Sequence, residues 1–125
     1  MQVEILRDVI ARSVARFPEQ RSRIERAASM IVLGHVERIA PDAYAVRSES
    51  DPAVTYRVTA TGCPCVDAQR HPELACKHGW AVDLLLVTAE RERRLTAAEA
   101  QQAARGRTAA DRVALAYARS LARVA

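Results

Sequence analysis

All three cysteines and two of the three histidines of this chain lie in TGCPCVDAQRHPELACKHGWAV, residues 61–82. Cys63-x-Cys65 is followed after a gap by Cys76-x-His78. Zinc takes four tetrahedral ligands from thiolate and imidazole, and three cysteines with one histidine form a standard closed set. His71, inside the gap, competes with His78 for the fourth place. An odd number of cysteines without an export signal favours metal chemistry over a disulfide framework. Dithiol redox motifs usually have two residues between the cysteines and a helix start, and the first pair has neither. A catalytic zinc keeps one position open for water, which four protein ligands would close.

The spacing makes demands on the elements around it. Residues two apart on a helix point to different sides, so Cys76 is expected at or before a helix start, with His78 in the first turn. Alternate residues of a strand stand roughly 6.6 Å apart, so Cys63 and Cys65 require an irregular turn, for which Gly62 and Pro64 are suited. Ahead of that turn, VTYRVTA alternates apolar and polar residues as a half-buried strand does. HVERI and AYAVRS, separated by Pro41-Asp42, read as two more strands. Behind the turn, GWAVDLLLVTAERERRL reads as a helix whose apolar first half is the centre of the core, and Trp80 is expected to pack there.

Two helices are expected at the N-terminus. Val3, Leu6, Ile10, Val14 and Phe17 recur at helical spacing until Phe17-Pro18 stops the run. A second helix from Pro18 is capped near Gly34. At the C-terminus, Thr96-Ala-Ala-Glu99 reads as a capping box opening a further helix. Arg105-Gly106-Arg107 is expected to break that helix, and Thr108 to cap a last one, striped with Val113, Tyr117, Leu121 and Val124.

Cys63-Pro64-Cys65, Cys76-Lys77-His78 and the small residue Ala81 together resemble the SWIM zinc finger, whose pattern is CxC, a variable gap, then CxH with a small residue three positions on. The likeness extends over about residues 43–88 and implies a ββα zinc unit that binds DNA or protein. It also implies Cys63, Cys65, Cys76 and His78 as the metal ligands, with one structural Zn²⁺. The expected fold is α+β: a small antiparallel sheet and the ββα finger, flanked by N- and C-terminal helices. The expected segments are a helical 1–34, a zinc-finger core 35–95 and a basic helical extension 96–125.

Charge is uneven along the chain. The net charge is +4, yet residues 91–125 alone carry eight basic and three acidic side chains, while residues 63–90 carry two and four. Arg105, Arg107, Arg112, Arg119 and Arg123 are therefore the candidate phosphate contacts. The sequence has no phosphate-cradling glycine loop, no nucleophile paired with a base and no acidic magnesium cluster, so a non-enzymatic role without a small-molecule substrate is expected. DNA or a DNA-associated protein complex is the expected partner. The alternative is a protein-interaction adaptor with no direct nucleic-acid contact, of which self-association through the last helix is a special case. Charge at every turn of the N-terminus and the lack of a long apolar run give no signal peptide or membrane span, and a cytoplasmic location is expected.

Overall fold

Pro18 sets the first break in the chain. In the computed structural model, which describes residues 2–124 and their side chains except those of Ala103, 106–112 and 114–124, helix α1 (Val3–Arg16) stops just before it. A short 3-10 turn, Pro18–Gln20, then leads into α2 (Arg21–Val32), so the α-helix starts a turn later than the proline alone suggests. Gly34, at φ +74, turns the chain out of α2 in the left-handed conformation that glycine adopts without strain.

Three strands follow: β1 (Val36–Ala40), β2 (Ala43–Arg47) and β3 (Thr55–Thr59). They form an antiparallel sheet in sequence order, with Val36, Val46 and Tyr56 side by side in register. Tyr44, Val46 and Val58 face the core, while Arg47, Thr55 and Arg57 are exposed, as the period of two requires. The chain then passes through Gly62 (φ +119) into a short helix, α3 (Val66–Arg70), and on to α4 (Lys77–Val124).

Residues 1–90 make one compact unit and residues 91–125 another. The core of the first is aliphatic, built from Ile5 and Val9 of α1, Ile24, Ala27 and Met30 of α2, the sheet residues above, and Trp80, Ala81 and Leu84 of α4. Each helix contributes residues three or four apart, the stripe that its period places on one face. Trp80 packs in this core as expected, edge-on to Phe17 at 5.6 Å between ring centroids.

The C-terminal breaks anticipated from Thr96, Gly106 and Thr108 do not occur, because α4 is continuous to Val124. An N-cap must leave helical geometry, and the good helix formers before Thr96 give the chain no reason to do so. A glycine inside a helix costs about 1 kcal/mol relative to alanine, which does not break it unaided, and no proline follows residue 72. Among the described residues no helix is long and apolar enough to cross a membrane.

Candidate metal centre

Two helix starts converge on the cysteine-rich stretch. Cys65 precedes α3 as its N-cap, and its Sγ accepts a hydrogen bond from the Ala68 N–H at 3.4 Å. Cys76 stands just before α4, and its Sγ accepts from the Gly79 N–H, also at 3.4 Å. Both sulfurs therefore face the positive ends of helices, where unpaired N–H groups favour an anion. His78 lies in the first turn of α4, as the two-residue spacing demands.

Cys63, Cys65, Cys76 and His78 bring one ligand atom each to a common point, all within 4.8 Å of one another. His78 Nδ1 lies 3.6 Å from Cys63 Sγ and 3.9 Å from Cys76 Sγ. Around a tetrahedral zinc with Zn–S near 2.3 Å and Zn–N near 2.05 Å, the sulfur–nitrogen edge is about 3.6 Å. The donor set and its spacing thus fit a tetrahedral metal ion. Cys65, Cys76 and His78 are buried, and Cys63 is partly exposed. His71, the competing ligand, stands exposed in the gap beside Glu73 at 3.7 Å and takes no part in the cluster.

Three thiols this close cannot all ionise on their own. Its hydrogen bond with Cys63, helped by those from His78 and Gly79, holds Cys76 down at about 3. The same contact with Cys76, together with burial, pushes Cys63 up, and burial raises Cys65. A dication held at the centre would bring Cys63 and Cys65 down as well, since it would favour every thiolate at once.

The surrounding side chains orient the cluster. His78 Nε2 is buried without a hydrogen-bond partner among the described residues, and the ring instead lies 4.6 Å from that of Tyr56 on β3. Packing, rather than a second hydrogen bond, aims Nδ1 at the thiols. Arg23 of α2 grips Asp67 of α3 through two bonds of 2.9 Å, which lowers the Asp67 carboxyl below its ordinary value. Lys77 pairs with Glu49 at 3.3 Å, so its charge is shared with the β2–β3 loop. Gln20 Oε1, itself buried, accepts from the Trp80 indole at 2.8 Å. Sequence reasoning misses all of these supporting pairs, because the partners lie far apart along the chain and no local pattern links them.

Of the candidate phosphate contacts, Arg105 is exposed. Arg107, Arg112, Arg119 and Arg123 lie outside the described side chains. No family model, curated protein or solved structure matches the chain. Fold and site together define an α+β chain with a Cys3His group able to hold a metal ion.

Proposed function

We propose that the chain is a zinc module of the SWIM type, in which the ion holds the fold together and the binding function is directed at nucleic acid. The observation that carries the zinc reading is the Cys63, Cys65, Cys76 and His78 cluster. Thiolate with imidazole in a tetrahedral arrangement suits zinc. Four protein ligands leave no open position, which supports a structural and non-catalytic ion. Structural zinc contributes an apparent ~10 to 16 kcal/mol, enough to decide whether a small aliphatic core folds. The nucleic-acid reading rests on the eight basic against three acidic residues of 91–125, a density that attracts phosphates and releases their counterions.

The test is a titration of the zinc-loaded protein against labelled single- and double-stranded DNA at several salt concentrations. Binding in roughly the micromolar range that weakens steeply with salt is expected. It should weaken further when Arg105, Arg107, Arg112, Arg119 and Arg123 become glutamine. Absence of binding at low salt overturns the nucleic-acid reading and leaves the adaptor. That second reading draws on Leu86, Val87 and Leu95 of α4, large apolar side chains about half exposed, which suit a protein surface better than a phosphate backbone.

A further inference from the structure

The three thiols of the cluster differ in their access to solvent. Cys65 and Cys76 are each 4% exposed, and each is tied to a backbone N–H at the start of a helix. Cys63 is partly exposed and lies in the turn after Gly62. Nothing stands within 4 Å of where a Gly62 Cβ would be, so the chain just before Cys63 borders open space. The Cys63 sulfur lies within 4.8 Å of that of the buried Cys76. A partly exposed cysteine is thus held close to a second one that is almost wholly buried.

We propose that Cys63 is a thiol-oxidation site, at which a hydroperoxide entering from solvent converts the Cys63 and Cys76 pair to a disulfide and expels the metal ion. The inference rests on the zinc reading above. In the first step the Cys63 thiolate attacks hydrogen peroxide, a sulfur–oxygen bond forms, the O–O bond breaks, and hydroxide departs to be neutralised by an acid of the buffer. In the second, the Cys76 thiolate attacks the sulfenic sulfur, the S–S bond forms and a second hydroxide leaves. Two thiolates supply the two electrons that reduce one peroxide. Cys76 rather than Cys65 resolves the intermediate, because a Cys63–Cys65 bond would close a tight ring across Pro64, whose φ is fixed. With two of four ligands gone, Cys65 and His78 alone do not retain the ion, and α4 loses the thiolate that caps its first turn. Reduction by a dithiol restores both thiolates and the capacity to bind zinc.

The experiment uses the full zinc-loaded chain, with metal content measured first, then limiting hydrogen peroxide in the presence of a zinc dye and, in a parallel sample, a dione that traps sulfenic acid. Trypsin separates Cys63 and Cys65, in VTATGCPCVDAQR, from Cys76, in HPELACK. The expected result is the trapped adduct on Cys63 in the dione sample and, in the other, a disulfide joining those two peptides with loss of the bound zinc in equal amount; dithiol and added zinc reverse the disulfide and the zinc loss but not the dione adduct. Retention of zinc with unoxidised thiols overturns the proposal, as does a first adduct on Cys65 or Cys76, or a disulfide within VTATGCPCVDAQR. A chain that carries no zinc before peroxide is added overturns the zinc reading itself, which separates the two failures.

Discussion

Each residue of the Cys3His cluster does more than offer a ligand atom to a metal, and the roles differ. Cys65 and Cys76 also cap helices, so serine at either position keeps a cap while giving up a thiolate ligand. Alanine gives up both and should cost about 1 kcal/mol more than serine, read as the difference in melting temperature. Cys63→Ser and Cys76→Ser are both expected to lower zinc content and to reduce thermal stability severely. An unchanged melting temperature with retained zinc would falsify the ligand assignment. His71→Ala should leave zinc content and melting untouched, because His71 is exposed and away from the cluster. The ligand types and their spacing are legible in the sequence because metal coordination needs few residues of rare types. The capping sulfurs are not, since a cysteine carries no N-cap signal of the kind serine or aspartate does.

At the scale of elements, three side-chain links connect parts of the first unit that local patterns treat as separate. The Arg23–Asp67 pair joins α2 to α3, Lys77–Glu49 joins the start of α4 to the β2–β3 loop, and Trp80–Gln20 joins α4 to the 3-10 turn. The Arg23–Asp67 pair is partly solvated, so a double-mutant cycle of Arg23→Gln and Asp67→Asn at neutral pH should give a coupling of roughly 0.5 to 1 kcal/mol. Asp67 has a lowered folded value, so its contribution is complete above the ordinary carboxylate range and fades as pH falls below about 4. A coupling that persists in strong acid would contradict the ion-pair account. Strand and helix positions can be read ahead because hydrophobic period and proline act locally. The continuity of α4 cannot, because a single turn signal such as Gly106 is outweighed by the helix propensity summed over its neighbours. Gly106→Ala should therefore raise helix content in circular dichroism and stabilise the helix by about 1 kcal/mol.

For the molecule as a whole, the decisive property is where its charge lies. Residues 1–90 are nearly balanced, and the excess of positive charge belongs to residues 91–125. Neutralising the five candidate arginines should thus leave zinc content unchanged while flattening the salt dependence of DNA binding, by close to one unit of slope for each phosphate no longer neutralised. A salt slope that survives all five substitutions would move the binding surface to Arg91, Arg93 and Arg94 or into the first unit.

Trp80 is the only tryptophan in the chain, and its indole is buried against Phe17 and bonded to Gln20 two positions along the helix from His78. The native protein therefore carries its own fluorophore at the seam between the N-terminal turn and the helix that presents His78. Emission from the buried ring should shift to longer wavelength when a chelator removes the ion and the seam opens. Without a label or a substitution, the colour of that single residue reports whether the N-terminal helices and the metal centre come apart together.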